Sequence, residues 1–151
     1  MLKDAMSVSV TNEGAMEPAD QGNAEAVFQV MSNELATPNI LVCPADKSRW
    51  PAPSFSVLTA SNLSYFVNID CTEANPEDIF AGDDDLEIHG VRVKSGLLVI
   101  SSNKPVAWSA DRHGFSGNVA LADGSVQGMN DFMLTNWFGS TNQPPMRLAI
   151  P

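Results

Sequence analysis

The chain has 151 residues, of which 44% are hydrophobic, and this size suits one domain with a substantial core. Its formal net charge is −10, from 18 acidic and 8 basic residues. This acidity argues against binding to nucleic acid or to an anionic membrane surface, because both need a basic protein surface. The sequence contains no apolar run of the roughly 18 residues that a membrane-spanning helix requires, so on these residues alone we expect a cytosolic protein.

The first clear element is a helix from Asn23 to Leu35, which follows a segment of residues 1–22 that we expect to be extended or looped. Asn23 is a favoured residue for capping the start of a helix. Thr37-Pro38 ends the pattern, because the residue before a proline avoids helical backbone angles. Apolar residues recur at helical spacing and predict one buried face: Val27, Phe28, Met31 and Leu35.

Several short strands follow this helix and predict an antiparallel sheet. The apolar and alternating runs that predict strands are 39–43, 63–69, 86–89 and 106–109, and 91–93 is expected to pair with 97–100 as a hairpin. Residues 72–84 are expected to form a loop. A helix followed by antiparallel strands predicts an α+β fold in which the N-terminal helix packs on one face of the sheet. We expect residues 23–151 to form one globular domain.

A β-hairpin is predicted around Asp123-Gly124. These two residues separate the runs 118–122 and 125–129, and Asp-Gly favours a two-residue type I′ turn. Such a loop would place Leu121 opposite Val126 and Val119 opposite Gly128.

The acidic run near the middle of the chain offers a candidate cation site. Asp83, Asp85 and Glu87 could give carboxylate oxygens to calcium, which prefers such ligands, although the pattern of an EF-hand loop is absent. The simpler interpretation of this run is a solvated acidic turn, with no cofactor.

Neither histidine nor cysteine motifs point to an enzyme. The sequence lacks the Gly-x-Ser-x-Gly pattern of many hydrolases, and no nucleophile motif surrounds either cysteine. His113 is therefore interpreted as a structural residue, whose ring bonds the backbone of the loop before the hairpin. Cys43 and Cys71 could form one disulfide bridge if the compartment is oxidising.

Several segments together resemble a known family. His113, nine residues and then Asp123-Gly124 are similar to the H-x9-DG element of prepilin-type, pseudopilin-like proteins common in the Planctomycetes–Verrucomicrobia group of bacteria. Further segments that resemble these proteins, in the same order, are 28–35 with 37–46, 62–67, 94–99 and 147–151.

The resemblance implies a pilin-like fold and a structural function. Such proteins carry a cleavable leader and a hydrophobic N-terminal helix, which anchors the subunit in the inner membrane and contacts other pseudopilin subunits in a type II secretion or type IV pilus-like filament. That helix is absent from this sequence, so the chain is expected to be the extracytoplasmic domain of a non-catalytic subunit. The alternative is an extracytoplasmic binding module that uses the acidic run for a cation or a secreted substrate.

Overall fold

The computed structural model describes residues 16–140 and 144–151, which form mainly antiparallel β-sheets with a few short helices. The predicted mixture of helix with a mostly antiparallel sheet is therefore confirmed. Most of the segment predicted to be extended or looped, residues 1–22, lies outside the described residues. Its described part contains a short helix, α1, over Met16–Asp20, which buries Ala19. No helix within the described part of the chain is long and apolar enough to cross a bilayer.

The second helix, α2, is shorter than predicted. It runs over Ala24–Val30 and begins at Asn23, whose side-chain oxygen accepts a hydrogen bond from the Ala26 N–H at 2.9 Å. The chain then tightens into a 3-10 turn, Met31–Asn33, so the predicted helix does not continue to Leu35. The last helix, α3, spans Asp131–Gly139 and begins at Asn130, whose side-chain oxygen accepts a hydrogen bond from the Met133 N–H at 3.0 Å.

Two antiparallel sheets contain all the described strands. The larger has the order β5-β9-β1-β2-β7-β8, and the smaller has the order β4-β3-β6. Their bounds are β1 Tyr65–Asn68, β2 Ile79–Asp83, β3 Leu86–Ile88, β4 Val91–Arg92, β5 Gly96–Ile100, β6 Val106–Trp108, β7 Ser116–Leu121, β8 Val126–Asn130 and β9 Met146–Ile150.

Several sequence predictions about strands were wrong. The predicted strand at 39–43 is instead a 3-10 helix, Pro38–Leu41, which Pro38 starts and the Thr37 hydroxyl caps. Strand β2 forms within a segment predicted to be a loop, and β9 was not predicted. Strands β4 and β5 do not pair with each other, because β4 pairs with β3 and β5 with β9.

The β7–β8 hairpin forms with a different turn and register from those predicted. Its loop has three residues, 122–124, and Gly124 adopts a left-handed φ of +86°. Asp123 does not have a positive φ, and its carboxylate accepts a hydrogen bond from the Ser125 N–H at 2.8 Å. A three-residue loop closed by a left-handed glycine shifts the pairing by one residue. The observed partners are Ala120 with Val126 and Val119 with Gln127.

Side chains alternate between the two faces of the larger sheet, as strand geometry requires. Phe66 and Leu148 belong to one apolar cluster, which also contains Trp108 and residues of α3. The other cluster contains Val27 and Phe28 of α2, together with alternate residues in and around β1: Leu63, Tyr65, Val67 and Ile69.

We predict that Gly117→Ala destabilises the protein by about 1–3 kcal/mol, the usual cost of overpacking a core. A Cβ at Gly117 would lie only 2.7 Å from the ring of Trp108, which is fully buried. Gly128→Ala, on the paired strand, is the control, since its nearest neighbour would be the Asn118 side chain at 3.9 Å. Denaturant unfolding of both variants measures the difference, and equal stability would contradict the predicted clash.

Candidate functional site

The most connected polar side chain near the acidic run is Arg112, in the loop between β6 and β7. Its side chain is only 5% exposed. Its Nη2 lies 2.6 Å from Asp84 Oδ1 and 2.9 Å from Asp46 Oδ2, and its Nη1 donates a hydrogen bond to the Ser64 carbonyl at 3.0 Å. These contacts join three separate segments of the chain.

A second guanidinium, that of Arg49, completes this group. It lies 2.7 Å from Asp84 Oδ2 and 3.1 Å from Asp46 Oδ2. Arg112 Nη1 also lies 3.9 Å from one oxygen each of Asp83 and Asp85. We call the two arginines and the four carboxylates, Asp46, Asp83, Asp84 and Asp85, the Arg112 cluster.

The interpretation of the acidic run as a solvated turn was therefore wrong. Asp83, Asp84 and Asp85 are 0%, 2% and 0% exposed, because β2 and the segment after it carry them into the protein beside Arg112. The three residues suggested for calcium do not converge on one point. Asp83 and Asp85 face Arg112, while Glu87 lies in β3 opposite Arg92 and Ala107.

Burial and pairing act in opposite directions on these ionisable groups. Burial alone would raise the pKa of Asp46, but hydrogen bonds from Ser48 and Ser64 and the charge of Arg112 outweigh it and hold that pKa well below its usual value. Burial raises the pKa of Asp85, and the charge of Arg112 opposes this only in part. Burial lowers the pKa of Arg112, but the Asp84 carboxylate and its neighbours outweigh burial and raise it.

Three side chains of different chemistry meet beside the Arg112 cluster. The Nε2 atom of His113 lies 3.3 Å from Cys43 Sγ and 3.5 Å from Asp83 Oδ2. All three ligand-type atoms lie within 4.8 Å of one another. The Asp83 Oδ2 atom also accepts a hydrogen bond from the Asn118 N–H at 2.7 Å, which fixes the carboxylate. We call these residues the Cys43–Asp83–His113 group.

The role predicted for His113 is partly corrected by this arrangement. Its ring faces a thiol and a carboxylate rather than backbone, although its backbone carbonyl accepts a hydrogen bond from Ser116 Oγ at 2.6 Å. The other residues of the H-x9-DG element, Asp123 and Gly124, form the hairpin loop and are not part of this group.

An open pocket of about 810 Å³ extends from this group over β2, β7 and β8, on the α2 side of the sheet. Cys43, Asp83 and His113 lie at one part of its lining. The rest is mainly apolar and includes Phe28, Leu35, Ile40, Tyr65 and Val126.

Cys43 and Cys71, both among the described residues, are not joined by a disulfide. Both cysteines are buried. Cys43 lines the pocket together with Tyr65, the first residue of β1, whereas Cys71 lies three residues after Asn68, the last residue of that strand.

The sequence did not predict that the residues of the Arg112 cluster, or those of the Cys43–Asp83–His113 group, would come together. His113, Cys43 and Asp83 were considered singly, and no role was given to Arg112 or Asp46. No local pattern in the sequence indicates either group, because the members of each come from segments far apart along the chain.

Comparisons with known protein families, curated proteins and solved structures find no match to this chain.

We predict that Tyr65 titrates far above the usual pKa of a tyrosine. Burial raises the pKa of Tyr65 to about 12, and the negative charges of Cys43 and Asp83 add to this effect. Because the folded protein holds the phenol neutral, its contribution to stability is complete below pH 10 and is lost as the pH rises towards 12. Tyr65 is the only tyrosine in the chain, so the phenolate absorbance reports it directly. A midpoint near pH 10 in the folded protein would contradict the prediction.

Proposed function

We propose that this chain is a pilin-like, non-catalytic structural subunit of a type II secretion or type IV pilus-like filament. The observation that supports this proposal is that segments resembling the family, although far apart in the sequence, are joined by specific contacts in the fold. The residues in which these segments resemble the family would then stabilise one domain together.

The first contacts join the segments 37–46 and 62–67 with the loop that carries His113. Ser64 N–H donates to the Leu41 carbonyl at 2.9 Å, and Ser64 Oγ donates to Asp46 Oδ2 at 2.8 Å. The Ser64 carbonyl accepts from Arg112, the residue before His113. One serine thus connects three of the segments.

The remaining contacts are strand pairings. Ala149 of β9 lies opposite Val67 of β1 and Leu97 of β5, so the segments 62–67, 94–99 and 147–151 are neighbours in the larger sheet. We infer that α2 corresponds to the end of the N-terminal helix of a pilin-like subunit, and that the domain lies outside the cytoplasmic membrane.

The geometry of the Cys43–Asp83–His113 group favours a non-catalytic function over a cysteine hydrolase. In a nucleophile–His–acid arrangement, the nucleophile and the acid contact opposite nitrogens of the imidazole. Here Cys43 Sγ and Asp83 Oδ2 both approach Nε2. The acid therefore cannot orient the ring through its other nitrogen.

A binding module is the alternative, and the open apolar pocket favours it. The version that relies on the acidic run as an exposed loop has less support, because Asp83, Asp84 and Asp85 are buried among arginines.

The filament proposal is tested in the source cells with an antibody raised against this domain. We expect the protein in the inner-membrane and sheared surface fractions, and we expect its gene to encode a leader and about 20 apolar residues upstream of Met1, enough to span a bilayer. In cells that lack the leader peptidase, the protein should be heavier by the uncleaved leader and should be absent from the sheared fraction.

A cytosolic enzyme of the same cells is the fractionation control. Co-fractionation of the protein with that enzyme, together with an in-frame stop codon directly before Met1, would contradict the proposal.

A further inference from the structure

We propose that Cys43, Asp83 and His113 form a binding site for a divalent transition metal of the zinc type, with a fourth coordination position open to the pocket. The inference is independent of the filament proposal, because it concerns only the purified chain. Thiolate sulfur, imidazole nitrogen and carboxylate oxygen are the ligands that zinc takes in proteins.

The distances fit a tetrahedral ion. With zinc bonds of about 2.0–2.3 Å, neighbouring ligand atoms of a tetrahedral site lie about 3.3–3.6 Å apart. The separations from His113 Nε2 to Cys43 Sγ and to Asp83 Oδ2 are 3.3 Å and 3.5 Å. The ligand atoms of Cys43 and Asp83 lie within 4.8 Å of each other, so a shift of at most about 1 Å brings this third pair to the tetrahedral separation.

Hydrogen bonds alone do not satisfy all the polar atoms of the Cys43–Asp83–His113 group. A ring nitrogen of neutral histidine presents either one N–H or one lone pair, in a single direction in the ring plane. Two neighbours, Cys43 Sγ and Asp83 Oδ2, compete for that one direction on His113. A metal ion would satisfy the nitrogen, the sulfur and the carboxylate together.

The surrounding charge also favours a cation. The four carboxylates of the Arg112 cluster face two guanidinium groups, which leaves a formal excess of two negative charges in a buried region. A divalent ion would offset this excess, and binding would displace the proton of the Cys43 thiol.

The fold holds the three ligands in place before any metal binds. Each ligand is close in sequence to a member of the Arg112 cluster: Cys43 precedes Asp46 by three residues, Asp83 precedes Asp84, and His113 follows Arg112. Arg112 pairs with both Asp46 and Asp84, so its contacts connect all three ligand-bearing segments. The Asn118 N–H orients the Asp83 carboxylate, as outer partners commonly do for metal ligands.

The test is zinc binding by the purified 151-residue chain, measured by equilibrium dialysis and metal analysis after treatment with a chelator. The chain has two cysteines and two histidines, so each ligand substitution has a matched control. Cys43→Ser is compared with Cys71→Ser, and His113→Asn with His89→Asn. Asparagine suits position 89 because His89 has a left-handed φ of 51°, which asparagine adopts readily.

We expect one zinc ion per chain in the wild type and in both controls. We expect at least about tenfold weaker binding in Cys43→Ser and His113→Asn, since even changes to outer partners of metal ligands typically cost 10–100-fold in affinity. Wild-type protein that binds no zinc at micromolar concentration would overturn the proposal. Equal binding by ligand variants and controls would also overturn it, because it would show adventitious binding at exposed carboxylates.

Cobalt provides a second measurement that does not depend on whether the ligand variants fold. Bound cobalt(II) should show a thiolate-to-metal charge-transfer absorption in the wild type and in Cys71→Ser. If circular dichroism shows that Cys43→Ser or His113→Asn is unfolded, this absorption decides the outcome. Its absence from the wild type would overturn the proposal.

Discussion

The structure depends on one buried guanidinium, that of Arg112. Asp84 and Asp46 lie within 3 Å of it, and Asp83 and Asp85 lie at 3.9 Å. Buried charges are costly unless they are paired and hydrogen-bonded. Arg49 also pairs with Asp84 and Asp46, but Arg112 is the arginine that lies near all four carboxylates. The contacts of Arg112 connect three parts of the chain: the irregular segment before β1, the end of β2 and the loop before β7. They also hold in place the side chains of Cys43, Asp83 and His113, which lie beside the Arg112 cluster.

Local features of the fold could be predicted from the sequence. The caps of Asn23 and Asn130 and the alternation of β1 depend on residues a few positions apart. The central strand β2 and the strand β9 could not be predicted in this way, because their hydrogen-bond partners are distant in sequence. Ile79 of β2, for example, lies opposite Leu121, and Leu148 of β9 lies opposite Leu98. The position of the hairpin could be predicted from Asp123-Gly124. Its register could not, because it depends on a three-residue loop that Gly124 closes in a left-handed conformation.

The candidate site was beyond sequence reasoning for the same reason. Three consecutive aspartates normally indicate a solvated turn, and only the fold shows that Arg112, 28 positions after Asp84, accompanies them into the interior. Cys43 and His113 are separated by 70 positions, so neither suggested the other. The same residues now support two proposals at different levels. Segments containing Cys43 and His113 belong to the resemblance behind the filament proposal, while the contact between their side chains supports a metal site.

The most direct test of the central role of Arg112 is the free energy of unfolding of Arg112→Met, measured in denaturant beside Arg92→Met. Arg92 is a matched control, since its side chain is 42% exposed and pairs with the exposed carboxylate of Asp111. Removing one partner of a buried ion pair typically costs about 3–5 kcal/mol, and we expect a loss of that size for Arg112→Met. A surface pair contributes about 0–1 kcal/mol, which sets the expected loss for Arg92→Met. Losses of similar, small size in the two variants would contradict the view that Arg112 holds this part of the fold together.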